Sequence, residues 1–144
     1  MKGKKTDMKK ILVVAAHPDD EILGVGATVA KHAAQGDEVY ALILGEGQTS
    51  RGEHREDIST EVVKELHQNT LESAEKVGYK EVYFADFPDN RFDQIDLLDV
   101  VKAVEHKIKE IQPEIIYTHY SGDLNIDHQY TARAVLTATR PIWD

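Results

Sequence analysis

The sequence predicts a three-layer α/β/α fold around a mostly parallel sheet, and three observations carry that prediction. Strand-like and helix-like stretches alternate along the chain as β-α-β-α-β-α-β-α. The first strand candidate is continuously apolar rather than alternating, as a strand buried on both faces must be. Polar loops follow each strand candidate, so they gather at the carboxyl edge of the sheet, where such folds bind ligands.

The elements follow in order. Ile11 to Ala16, "ILVVAA", is the first strand. Glu21 to Gln35 reads as one helix closed by Gly36, because glycine tolerates the left-handed conformation that ends helices. Glu38 to Leu44 is the second strand, and the long polar stretch Gly45 to Asp57 is a loop of functional length. A helix from Ile58 to Val77 stops at Gly78, and Glu81 to Phe84 is a short strand. "PDNRFD" at Pro88 to Asp93 is a polar loop before a helix from Ile95 to Ile111, halted ahead of Pro113. Glu114 to His119 is the last strand, "YSGDLNID" a loop, and Asp127 to Thr139 the final helix.

No repeat or linker divides the 144 residues, so residues 8–144 read as one domain after a disordered leader at residues 1–7. The basic start has no apolar segment of signal-peptide length, and "ILVVAA" is far too short to span a bilayer. The expectation is a cytoplasmic protein without membrane insertion. A formal net charge of −9 argues against a nucleic-acid binder, which needs a basic surface. With no cysteine, any metal must be held by His, Asp and Glu.

"HPDDE", His17 to Glu21, stands where the first strand gives way to a helix. Proline and acids suit a helix start, since acids complement the helix dipole. They leave His17 unexplained. His17 and Asp20, three apart across a tight turn, can converge on one cation, and His128 in "DLNIDHQ" is the best third ligand from the same edge. Two histidines and a carboxylate leave a coordination position open, as in catalytic zinc sites; ferrous iron takes the same set. Asp19 beside them is placed to take a proton from water. His119, Arg51 and Asp89 are candidates for substrate contact or for support of the ligands, and Asp127 for orienting His128. Plainer roles exist for each: strand end, solvated loop, turn and helix cap. His32, His54, His67 and His106 read as surface residues.

"AAHPDDE" with the later "DLNIDH" resembles the PIG-L/LmbE-like family of zinc-dependent N-deacetylases, over about Ile11 to Trp143. "GEGQTSR" after the second strand and "PDNRFD" after the third fit the same pattern. The resemblance implies a Rossmann-like fold and a single deacetylase domain. It also implies Zn²⁺ on His17, Asp20 and His128, Asp19 as general base and Arg51 on the substrate. The reaction implied is hydrolysis of an N-acetylglucosamine-type acetamide to acetate and free amine. Two departures stand out. Asn125 occupies a position where several members carry a histidine, which leaves the acid for the departing amine to Asp19 or His119. Family members also continue past "TATRPIWD", so the resemblance leads one to expect a C-terminal part of the family fold beyond these residues; without it, an unfinished sheet edge would favour homo-oligomers.

Three other readings compete. A receiver-like acidic pocket would use Asp86 as phosphoacceptor, but it requires a lysine that "THYSGDLN" does not supply. A nucleotide-binding domain would require G-x-G-x-x-G straight after the strand; "GVGATVA" lacks it, and Gly24 and Gly26 fall inside a helix, packed on the sheet. An inactive relative retained as a binding module would fit Asn125 and the short C-terminus.

Overall fold

A computed structural model describes residues 7–47 and 60–141. Strands β1 (Lys10–Ala15), β2 (Glu38–Gly45), β3 (Glu81–Phe87) and β4 (Ile115–Tyr117) form one parallel sheet in the order β3-β2-β1-β4. The helices are α1 (Asp20–Leu23), α2 (Gly26–Ala34), α3 (Thr60–Val77), α4 (Leu97–Ile111) and α5 (Ile126–Ala138). The leader residues 1–6, Arg51 and His54 lie outside the described residues.

Each sheet face is covered by helices. On one face Leu12, Val14, Tyr40, Leu42 and Leu44 pack with Val100, Val101, Val104, Ala134 and Val135 of α4 and α5. On the other, Ile11, Val13, Val39 and Ala41 pack with Val29 of α2 and Ala74 of α3. The run "ILVV" is 0–3% exposed, which explains why it does not alternate: both faces of β1 are interior. The predicted three-layer fold is therefore the observed one. Among the described residues no helix is long and apolar enough to cross a membrane.

Four boundaries differ from expectation. The helix predicted at Glu21–Gln35 is broken in two at Gly24 and Val25. A Cβ on Gly26 would meet Ile22 and Val77, so this glycine fits α2 between α1 and α3, rather than against the sheet. Strand β3 runs on to Phe87, past Phe84, through a bulge where Asp86 takes φ 55°. A 3₁₀ turn at Phe92–Gln94 precedes α4, which begins only after the N-cap Asp96.

Strand β4 is shorter than predicted: its pairing with β1 ends at Val13 opposite Tyr117. Beyond that point side chains replace the ladder. Thr118 Oγ1 donates to the Val14 carbonyl at 3.0 Å, and the Ala16 N–H donates to His119 Nε2 at 2.9 Å. The backbone groups of β1 thus stay paired while the chain turns out to the rim.

Candidate metal centre

The strand-to-helix junction after β1 is tight. Asp19 adopts φ 88°, uncommon for a residue with a Cβ, and its carbonyl accepts from the N–H groups of Ile22 and Leu23. Asp19 itself is exposed. The turn swings Asp20 back so that its Oδ2 accepts from the His17 N–H at 3.0 Å. Gly45 at the end of β2 makes room. Its N–H donates to the Ala16 carbonyl at 2.7 Å, and an added Cβ would lie 2.7 Å from that oxygen and 3.3 Å from the His17 ring.

His17, Asp20 and His128 converge as the spacing suggests. Asp20 Oδ2 lies 3.4 Å from His17 Nδ1 and 3.2 Å from His128 Nε2. Donors about 2.0–2.1 Å from a tetrahedral metal stand about 3.3 Å apart, so these separations match a metal's ligand edges. The three can hold one ion between them.

The second nitrogen of each imidazole is held by carboxylates. His17 Nε2 meets Asp127 Oδ2 at 2.8 Å and Asp89 Oδ1 at 2.8 Å. Asp127 is fully buried, and it also accepts from the N–H groups of Asn90 (2.5 Å) and Phe92 (3.0 Å). A carboxylate already accepting from two backbone donors fixes the His17 proton on Nε2 and leaves Nδ1 facing Asp20. His128 Nδ1 meets Asp123 Oδ2 at 3.0 Å, which turns Nε2 toward Asp20 in the same way. Asp127 therefore orients His17, not the neighbouring His128. Asp89 is 4% exposed and faces His17 instead of the open rim.

Electrostatics follow the geometry. Burial disfavours the His17 imidazolium, but its hydrogen bonds to the Asp127, Asp20 and Asp89 carboxylates outweigh it and push the pKa up to about 11. Burial likewise opposes the Asp20 carboxylate, yet the bonds from His17 and the nearby His119 and His128 hold it below its ordinary value. A cation bound there would take the place of the extra proton, since a metal needs His17 Nδ1 free. His119 behaves oppositely: burial and the stacked His128 ring, 3.9 Å away, lower it to about 4. With Nε2 accepting from Ala16, His119 is a fixed neutral partner rather than a proton carrier.

Asn125 caps α5. Its Oδ1 accepts from the N–H groups of Asp127 (2.9 Å) and His128 (3.2 Å), and its Nδ2 donates to Asn90 Oδ1 at 3.4 Å. It thus starts the helix that presents both Asp127 and His128. Asp123, which sequence reasoning passed over, accepts from Asn125 N–H at 2.8 Å and from His128. The D-x-N spacing of a local side-chain turn was its only signal. Glu21, expected as a plain helix-start acid, is 1% exposed with neither carboxylate oxygen hydrogen-bonded among the described residues; burial and the Asp19 charge push it up to about 7.

Two histidines read as surface residues are not. His32 bonds Asp37 and Tyr117, and His67 stacks on Phe84 with ring centres 3.8 Å apart. His106 is exposed as expected. Asp86 sits 59% exposed, 3.4 Å from His67, so the acidic pocket that a receiver needs is not formed with it.

The chain is similar to known proteins over most of its length. Residues 12–139 match the PIG-L family, described as GlcNAc-PI de-N-acetylase. The uncharacterised deacetylase YaiS of Escherichia coli K12 is 30% identical over 139 residues, covering 93% of this chain and 70% of YaiS. Diacetylchitobiose deacetylase of Thermococcus kodakarensis is 31% identical over 111 residues, covering 76% of this chain and 40% of that enzyme. The structure of N,N'-diacetylchitobiose deacetylase from Pyrococcus horikoshii superposes with a TM-score of 0.77 at 24% identity, over 92% of this chain and 49% of that one. The chain thus spans less than half of either chitobiose deacetylase. With a family match across nearly its whole described length and relatives named as deacetylases, this chain belongs to the PIG-L family.

Proposed function

We propose that the chain is a metal-dependent N-deacetylase that hydrolyses the acetamide of an N-acetylglucosamine-type sugar to acetate and free amine. One observation carries the reading: His17 Nδ1, Asp20 Oδ2 and His128 Nε2 converge, with each imidazole held from behind by a carboxylate. Structural ion pairs do not need that arrangement; an oriented donor set does. The diacetylchitobiose deacetylase relative supports the amino-sugar class.

A divalent metal bound there, zinc or ferrous iron, supplies Lewis-acid polarisation of the carbonyl and lowers the pKa of water to roughly 7. This chain's residues do the rest. His17, Asp20 and His128 would hold the ion. Asp19, exposed on the left-handed turn just before Asp20, has the role of accepting the proton of the attacking water and returning it to the departing amine. Asn125 is occupied as a cap and His119 by Ala16, so neither competes for that proton. Arg51 lies outside the described residues, and its contact with substrate belongs to the proposal alone.

The test is acetate release from N,N'-diacetylchitobiose and N-acetylglucosaminides by the zinc-loaded chain. Asp19→Asn is expected to lower kcat by about 10²–10⁴-fold with metal content unchanged. Full metal loading without acetate from any of these sugars would refute the reading.

A further inference from the structure

The candidate metal centre opens into a pocket of about 420 Å³. Pockets of about 300–1,000 Å³ take whole small-molecule ligands, so the methyl of an acetyl group fills little of it. Asp20, His119 and His128 line it at the rim. Further back along the sheet its walls are Val13, Ala15 and Tyr117, with Leu23 and Val25 facing them from the α1–α2 break.

The side-chain hydroxyls of this rear portion are each hydrogen-bonded. Thr118 Oγ1 donates to the Val14 carbonyl. The Tyr117 hydroxyl is 3.0 Å from His32 Nε2, and His32 Nδ1 is 2.7 Å from Asp37. With the carboxylate holding the Nδ1 proton, Nε2 faces the phenol as its hydrogen-bond partner. Both hydroxyl protons are therefore engaged, and beside them the rear portion presents the side chains of Val13, Ala15 and Val25. A sugar ring placed there would find few partners for its several hydroxyls, which is costly. An alkyl chain would gain from burial. Leu23, which lines the same pocket, is 84% exposed.

We propose that the site takes N-acyl groups longer than acetyl, the alkyl chain running from the metal centre over Val13, Ala15, Val25 and Tyr117 while the sugar stays at the polar rim. This rests on the amide-hydrolase reading and adds the acyl class. The reaction balances as hydrolysis: water oxygen bonds to the acyl carbon, the C–N bond breaks, the amine takes the proton and the alkyl carboxylate departs.

Two measurements on the zinc-loaded chain separate the two claims. Calorimetry compares octanoate with acetate and needs no turnover. Amine release is followed from N-acetyl-, N-butanoyl- and N-octanoylglucosamine. Octanoate is expected to bind at least tenfold tighter than acetate. Leu23→Asp and Val25→Asp should erase most of that ratio; Leu98→Asp, at an exposed position on α4 away from the pocket, should keep it. Thermal melting verifies that each variant folds. Octanoate binding with no amide turned over supports the pocket and overturns the hydrolase reading. Turnover of N-acetylglucosamine with octanoate no tighter than acetate overturns the acyl-chain proposal and leaves the deacetylase. Failure of both overturns both.

Discussion

His17 and His128 meet the same Asp20 oxygen, yet they are supported at different depths. His17 is backed by Asp127, fully buried, and by Asp89, 5% exposed at the side chain. His128 is backed by Asp123, whose side chain is 38% exposed. The same carboxylate–imidazole device is thus built once inside the protein and once near water. A hydrogen bond to a buried carboxylate holds an imidazole more firmly than one that solvent can replace. The β1 half of the centre is therefore the rigid half, and the α5 half the adjustable one.

That contrast can be broken most severely at Asp127. Asp127→Ala removes the acceptor for His17 and for two backbone N–H groups. Each buried donor left unpaired costs about 1–3 kcal/mol, so thermal melting should show a large loss of stability. The milder Asp127→Asn should weaken zinc binding by about 10–100-fold, and Asp123→Asn by clearly less. Equal losses in a competitive zinc titration would remove the distinction between the two halves.

Gly45→Ala attacks the rigid half from behind. The added methyl lies within 2.7 Å of the Ala16 carbonyl, a backbone atom that cannot swing away. A cost of about 1–3 kcal/mol is expected, with weaker zinc binding because His17 follows Ala16 directly. Melting curves and zinc titration of the same preparation check both effects.

The pH dependence of the metal-free chain sharpens the comparison. His119 has its pKa lowered to about 4 when folded, against 6.5 for the ordinary side chain. Its contribution is present above 6.5 and is lost as pH falls toward 4, because the unfolded chain takes up the proton first. His119→Gln retains an acceptor for the Ala16 N–H. It should lose less stability than wild type between pH 6.5 and 4, as read by melting temperature against pH. The smallest effect belongs to Asn125→Ala, which should cost about 1 kcal/mol through the lost α5 cap.

Much of this was legible in the sequence, for identifiable reasons. Buried parallel strands leave continuous apolar runs, so "ILVV" declared β1 and the layer order followed. His17, Asp20 and His128 were visible as candidates because a metal site needs particular residue types at one sheet edge. The supporting carboxylates were harder to read. Asp89 and Asp127 resemble turn and cap residues by position, and only the fold brings both behind His17. Asn125 looked like a lost functional histidine; its capping bonds depend on where α5 begins. The break at Gly24–Val25 escaped because the apolar spacing continues across it, while the turn at Asp19 sets the direction of α1. The early end of β4 depends on Thr118 and His119 replacing ladder bonds, which no local pattern announces.

The most direct test is the zinc content of purified chain after loading and removal of excess metal, with His17→Ala, Asp20→Ala and His128→Ala measured beside it. The account predicts about one zinc per wild-type chain and none retained by any of the three variants, each still folded by circular dichroism. A wild type that retains no zinc, or variants that bind it as well as wild type does, would contradict it.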